Sequence, residues 1–466
     1  MAIQIYNTLS RRKEPFEPLE DRVVKMYVCG PTVYADAHVG HAMSSMVFDI
    51  IRRYLEYREY QVVHVMNYTD VDDKIIQRSQ LEAVPALDLA ERYIQQYRHH
   101  LDDLNILQAT INPRATNEMD QIIDMVRGLI DRGYAYEAQG DVYFRVQSDD
   151  DYGKLSRRQL EDMQAGARIE VDQRKEDAMD FTLWKAAKPG EPSWDSPWGP
   201  GRPGWHIECS AMSMHHLGEQ IDIHGGGNDL IFPHHENEIA QTESFSGKSF
   251  AKYWVHNGML QLSSVKMSKS LGNMVTIQEF LDEHDSDVFR LMILNSSYRS
   301  PLTFNDEVIS GATKGFERLR SAMRPALSNA RGASPEVMEA LTAQISNTRQ
   351  GFLKTMDDDF NSAGALGHIF DLVRAINQTR DSGATEDDLE PAQDTFRELT
   401  GVFGLRLEQA SVDGGNAGQF IDFLVELRTD LREDKQWALA DNIRNRLAEL
   451  GVLIEDEKEG TTWRWK

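Results

Sequence analysis

Cysteine is scarce in this sequence: Cys29 and Cys209 are the two in 466 residues. Two cysteines cannot supply a disulfide framework for so long a chain, which points to a reducing cytoplasm. No run of about 18 apolar residues is present, so no membrane-spanning helix is expected. Met1 to Pro18 has no apolar stretch of a secretory type, so a cytoplasmic location is expected. Basic residues are in deficit, 50 against 75 acidic, for a formal net charge of -25. Such a field opposes indiscriminate nucleic-acid binding, so an RNA partner would have to be held by local patches, shape and base contacts. There is no internal repeat and no long low-complexity tract.

What is present is ordinary in bulk and unusual in places. Hydrophobic content of 41% and charged content of 27% fit a globular chain. Its length implies two to four domains. Lys25 to Cys29 reads as a strand broken by Gly30-Pro31. Ala42 to Tyr57 carries Met46, Val47, Ile50, Ile51, Tyr54 and Leu55 at helical spacing, and Gln61 to Met66 is β-branched and strand-like. That β-loop-α-β order predicts a parallel sheet, with ligands beyond the C-terminal strand ends.

Residues from roughly 115 to 200 read as an insertion, with a helix from Glu118 to Arg132, a strand from Asp141 to Val146 and an irregular Trp/Pro/Gly-rich stretch. The strand pattern resumes at Gln220 to His224, followed by a Gly225-Gly226-Gly227 loop and a His/Glu-bearing helix. After about residue 310, helical patterns dominate: Val308 to Arg324, with Pro325 as its stop, then Glu336 to Met356 and Ala363 to Gln378. A loop from Ser411 to Gly418 leads to helices near Phe420 to Arg432 and Gln436 to Leu450.

Several clusters carry chemistry. His38 and His41, three apart at a helix start after a Gly-Pro turn, suit a phosphate at the helix N-terminus; two incidental loop histidines are the alternative. Lys266-Met267-Ser268-Lys269-Ser270 could clamp a polyphosphate or be a solvated basic loop. Asp229, after the Gly227 loop, suits a ribose hydroxyl pair or a helix N-cap. Cys29 and Cys209, each expected at a strand end, could join His234 and Glu238, four apart on a helix face, around zinc. Buried, chemically inert cysteines and a core histidine remain the alternative, since no C-x-x-C pair exists.

Together these segments resemble class I aminoacyl-tRNA synthetases, and within them the cysteinyl-tRNA synthetases. The class signatures are His38-Val39-Gly40-His41, with valine where isoleucine is commoner, and the intact lysine loop. The more specific ones are Cys29 to Tyr34, Asn67 to Lys74, Gly204 to Met212 and His224 to Glu238. Tyr68 departs from the family's usual aliphatic residue or Phe.

The resemblance implies an α/β fold: a Rossmann-like parallel-sheet catalytic domain with an insertion, a helical bundle and a small C-terminal α/β anticodon-binding unit. The segments would be 1–115 and 201–260 for the catalytic domain, 116–200 for the insertion, 261–310 for stem contact, 311–405 for the bundle and 406–466 for the anticodon unit. It implies one Zn²⁺ on Cys29, Cys209, His234 and Glu238. Gly30, Thr69 and Trp205 would contact the amino acid. His38, His41, Gly227, Asp229 and Lys269 would contact ATP, which arrives with Mg²⁺, and His38, His41, Lys266 and Lys269 would be the catalytic set. Arg432, Asp441, Arg444, Asp456 and Trp463 would face the anticodon of tRNA(Cys), with a surface of ordinary ion pairs as the alternative. A monomer is implied. Two other functions compete: a cysteine ligase paralogue acting on a small amine, and a non-catalytic zinc-dependent RNA-binding protein.

Overall fold

Val23–Val28 and Gln61–Met66 pair as parallel strands in register, Tyr27 opposite Val65, with the helix Val39–Tyr57 as their crossover. The computed structural model describes residues 2–158, 173–262, 265–266, 274–407, 415–457 and 460–465. It divides into a unit of Met1–Arg406 and one of Leu407–Lys466.

In the first unit four parallel strands lie in the order Ala251–Asn257, Ile221–Gly227, Val23–Val28, Gln61–Met66. Both faces of the sheet are covered, so its strands are rich in buried Val, Ile, Tyr and Trp rather than alternating. From the two central strands the chain leaves in opposite directions, through Val39–Tyr57 on one side and Glu236–Ser246 on the other. A crevice opens where such connections diverge. The crossover helix starts at Val39, earlier than the apolar periodicity suggested, because His38 caps it.

Two local expectations are corrected. Gly225, Gly226 and Gly227 are not a loop but the end of a central strand, pairing with Val255, His256 and Asn257. Phe48 fills the space a side chain at Gly225 would need: a Cβ there would lie 2.2 Å from its ring. Cys209 is not at a strand end but inside the helix Trp205–Leu217. That helix is buried along most of its length and so shows little periodic signal.

The insertion carries the helix Met119–Asp131 and more regular structure than expected. Its Trp/Pro/Gly-rich part contributes Phe181–Ala186 and Gly201–Pro203 to a four-stranded antiparallel sheet with Ala135–Ala138 and Asp141–Phe144. Trp184 of that sheet shares one core with Tyr27, Val65, Cys209 and Ile221. The bundle region contains Asp306–Arg320, Pro335–Met356 and Ser362–Asp381 near their expected places, and also Glu386–Val402, which was not anticipated. The first of these ends at Arg320, before Pro325, in a 3-10 turn Ser321–Met323.

The second unit packs helices Gly415–Glu433 and Trp437–Glu449 on the hairpin Val452–Glu457 and Gly460–Trp465. Ile421, Val425, Leu447, Val452 and Ile454 form its core. The first part of the expected Ser411–Gly418 loop lies outside the described residues, and from Gly415 on the chain is helical. Among the described residues no helix is long and apolar enough to cross a membrane.

Candidate active site

A cavity of about 520 Å³ occupies the crevice, lined by Cys29, Gly30, Thr32, Tyr34, His38, Gly40, His41, Trp205, Gly227, Asp229 and Met274 among others. That volume suits a small-molecule site. Its inner wall is set by backbone pairing. The Cys29 N–H donates to Gly225 O at 3.2 Å, and the Gly30 N–H to Asn67 Oδ1 at 2.9 Å. Glycine is required at 30, because a Cβ there would lie 1.7 Å from the carbonyl oxygen of Asn67. Thr69 is buried behind this wall, its N–H bonded to Pro31 O at 3.2 Å.

Cys209, His234 and Glu238 are also buried behind the wall, where they meet Cys29. One donor atom from each of the four lies within 4.8 Å of the others. Glu238 Oε1 is 3.3 Å from Cys29 Sγ and 3.1 Å from His234 Nε2, while Oε2 receives His224 Nε2 at 2.8 Å. Burial pushes the His234 imidazole down to about 3, so its ring is a neutral donor. Burial, with Cys209 and Glu238 alongside, pushes the Cys29 thiol well above its ordinary value. Among the described residues the ion pairs of Glu238 are all with histidines. Two thiols and a carboxylate sharing a dry pocket call for a cation, and S₂NO donors in this arrangement fit a zinc-type ion. A second set, Cys29, His224, His235 and Glu238, overlaps the first.

At the other end of the cavity, His38 and His41 hold each other. His38 Nδ1 accepts from the Gly40 N–H at 3.1 Å, His41 Nδ1 accepts from the His38 N–H at 3.3 Å, and the rings stack 3.8 Å apart. The pair is thus a reciprocal helix cap that fixes both imidazoles at the cavity mouth. Gly227 and Asp229 lie on the same rim. The chain beyond the lysine loop is strapped here: Val39 N–H bonds to Val275 O at 3.0 Å and Ile277 N–H to Ala37 O at 2.9 Å. Lys266 ends the short strand Val265–Lys266, and Lys269 lies outside the described residues.

The proposed anticodon set sits in the second unit. Asp441 and Arg444 are exposed on one helix, and the Arg432 guanidinium is 5.9 Å from the Trp437 ring centroid. Trp463 packs against the unit's core and donates its indole N–H to Asp422 Oδ1 at 2.6 Å. Asp456 is on the hairpin, and its side chain lies outside the described part.

Some residues around the site were not assigned roles from sequence. Asn67 receives Gly30 and lies 3.7 Å from Cys209 Sγ through the same Oδ1. A chain of rings runs from Thr8 Oγ1 to His256 Nδ1, then from His256 Nε2 to His235 Nδ1, each step 2.8 Å. Asn67 and His235 stand inside the signatures, which was the one available signal; Thr8 and His256 carry none.

A parallel sheet with its crevice at the switch point, and a histidine-capped helix beside the lysine segment, is the catalytic architecture of class I aminoacyl-tRNA synthetases. Solved structures agree at the level of fold: methionyl-tRNA synthetase of Mycobacterium tuberculosis, in complex with methionyl-adenylate, superposes with a TM-score of 0.60 at 17% identity, over 86% of this chain and 94% of that one. A family model described as the tRNA synthetases class I (C) catalytic domain matches residues 15–314, a DALR domain matches 351–408, and the cysteinyl-tRNA ligase anticodon binding domain matches 421–464. Cysteine--tRNA ligase of Dehalococcoides mccartyi is 54% identical over the whole of both chains, and that of Clostridioides difficile 47% over 99% of this chain and all of its own. The chain belongs to the cysteinyl-tRNA synthetase family of ATP-dependent ligases.

Proposed function

We propose that the protein activates L-cysteine with ATP and transfers it to tRNA(Cys), reading the substrate thiol with a zinc ion on Cys29, Cys209, His234 and Glu238. The observation that carries this is the meeting of the two cysteines, 180 positions apart, with a neutral imidazole and a carboxylate directly behind the cavity wall. This set is preferred to the overlapping one because it uses both sulfurs. His224, already bonded to Glu238 Oε2, then serves as an outer partner that orients the carboxylate.

Zinc so held supplies a soft Lewis acid that favours a thiolate over a hydroxyl. Shape alone would separate cysteine from serine by only about 1–3 kcal/mol. Gly30, Thr69 and Trp205 frame the amino acid. His38, His41, Gly227, Asp229 and Lys269 hold ATP with its Mg²⁺, and Lys266 adds positive charge. The cysteine carboxylate oxygen bonds to the α-phosphorus as the bond to the bridging oxygen breaks and pyrophosphate leaves. Catalysis is then positioning and charge stabilisation, with no enzyme nucleophile. The 3′-terminal adenosine hydroxyl of the tRNA next attacks the aminoacyl carbonyl and AMP leaves.

Arg432, Asp441, Arg444, Asp456 and Trp463 read the anticodon, and the six-segment division given above describes the chain. The protein works as a cytoplasmic monomer. The anticodon-domain match over 421–464 favours tRNA over a small amine as acceptor. Cysteine-dependent exchange of pyrophosphate into ATP, with serine as competitor, followed by tRNA charging, tests the reading. Exchange without charging would favour the paralogue, and neither activity in metal-replete protein would favour a binding module.

A further inference from the structure

The helix that carries Cys209 ends in a second group of metal-type donors, away from the cavity. Its last turn bears His215 and His216. Neighbouring residues on a helix point about 100° apart, so adjacent imidazoles normally diverge. Here both turn onto one carboxylate: His215 Nδ1 is 2.5 Å from Glu118 Oε2, and His216 Nε2 is 2.9 Å from Glu118 Oε1. The ring centroids are 4.6 Å apart, and three donor atoms, one per residue, lie within 4.8 Å of one another.

Glu118 is built into place. It is 7% exposed and stands at the N-cap of Met119–Asp131, yet its side chain makes no cap bond and faces the histidines. Its own N–H bonds to Ala115 O at 3.2 Å, and its carbonyl accepts from Ile122 at 3.0 Å. The His215 side chain is 45% exposed, which leaves one side open to solvent.

We propose that Glu118, His215 and His216 form a second divalent-cation site, on the surface, selective for borderline ions such as Zn²⁺ and Ni²⁺. Metal–donor bonds of about 2.0–2.2 Å put donors sharing an ion roughly 3–3.5 Å apart, so the present spacing needs small rotations only. Two imidazoles and one carboxylate suit such ions, whereas Mg²⁺ and Ca²⁺ take all-oxygen shells. Water completes the shell on the open side. This site shares no residue with the cysteine cluster and stands whether or not that cluster holds zinc.

The test is calorimetric titration with Ni²⁺ of the full chain brought to one zinc per chain by mild chelation of its more weakly held metal, with released zinc measured in the same sample. One Ni²⁺ per chain is expected to bind without zinc release. The double variant His215→Asn/His216→Asn should lose at least tenfold in affinity while keeping its zinc content and its melting temperature in the absence of Ni²⁺. Should the double variant fold poorly, the single His215→Asn variant, altered at an exposed ring, should still lose the Ni²⁺-induced rise in melting temperature that the parent shows. The proposal is overturned if Ni²⁺ uptake equals zinc release, if no uptake occurs, or if the histidine variants bind Ni²⁺ as the parent does.

Discussion

Trp205 stacks on His234, ring centroids 4.2 Å apart and planes 28° from parallel. One ring is 39% exposed on the cavity wall; the other is buried against Glu238. The tryptophan therefore does two things at once: it forms part of the cavity wall and holds the imidazole in register with its carboxylate. His206 Nδ1, 2.9 Å from His234 Nδ1, fixes the ring from its other side.

Trp205→Ala should accordingly damage cysteine use more than ATP use. An aromatic pair contributes about 0.5–1.5 kcal/mol beyond the area it buries, and the cavity wall goes with it. A loss of at least about tenfold in kcat/KM for cysteine is expected, with the KM for ATP changed by less than about threefold. Trp205→Phe should restore most of the activity. Pyrophosphate exchange at varied cysteine and varied ATP measures both, and equal losses for the two substrates would refute the assignment.

Metal dependence separates donors from their supports. On the proposed ligand set, Cys209→Ser should empty the cysteine cluster of zinc and reduce cysteine-dependent exchange by more than about 100-fold. His224→Asn, which alters a support of Glu238, should weaken zinc by about 10–100-fold and leave the stoichiometry intact at saturating metal. Chelation should silence exchange in the parent, and Zn²⁺ should restore it. Elemental analysis and chelator competition read these outcomes; unchanged zinc in Cys209→Ser would show that the ligand set is wrong.

What could be read from the sequence was what is contiguous. The Gln61–Met66 strand and the placing of His38 and His41 at a helix start each carry their physics within a few residues. Convergence was harder to read. His224, His235 and His256 come from a strand, a turn and another strand, and no spacing announces that they will touch. Cys209 was misplaced because a helix buried on nearly all sides has no apolar stripe to detect. The glycine triplet looked like a loop because strand signals are side-chain signals, while here the side chains of Phe48, Leu230 and His235 need the space. In the insertion, Gly201 plays the same part: its missing Cβ would lie 2.3 Å from Trp184 Nε1, so a residue that reads as irregular is what lets two strands close. The helix Glu386–Val402 carried a readable start, with Thr385 and Asp388 as a capping box, but Pro391 inside it disguised the rest.

Acid sensitivity is expected from His64. It lies buried in the Gln61–Met66 strand with, among the described residues, no hydrogen-bond partner for either ring nitrogen, and burial, followed by the nearby Arg52 charge, pushes it from 6.5 down to about 3. The folded state keeps the ring neutral, whereas the unfolded chain takes up a proton near pH 6.5. Its contribution is therefore complete above pH 6.5 and is lost as the pH falls toward 3. By pH 5 the loss should be about 2 kcal/mol. Urea denaturation at pH 7.5 and pH 5 should show the parent losing about that much more stability than His64→Leu. Parallel losses in the two proteins would rule His64 out as the cause.

Arg290 makes the strongest structural prediction. It is fully buried and donates to Asp49 Oδ2 at 2.6 Å, Phe403 O at 3.0 Å, Leu104 O at 2.9 Å and Asn105 O at 2.8 Å. One guanidinium thus ties the crossover helix behind His38 to the Ser286–Leu294 helix and to the end of Glu386–Val402. Asp49 also holds Arg53 at 2.9 Å. Replacing Arg290 by Met leaves the buried carbonyls of Leu104 and Phe403 without this donor, while Asp49 and the Asn105 carbonyl keep Arg53. Replacing Asp49 by Asn strands the buried guanidinium. Each should cost about 3–5 kcal/mol, because breaking a buried pair exposes the full desolvation penalty of what remains. The double variant should cost clearly less than the sum, since the second change removes a group already stranded by the first. Urea denaturation followed by two probes measures all three; a loss below about 1 kcal/mol in Arg290→Met, or strict additivity in the pair, would mean that this hub is not what holds the helices together.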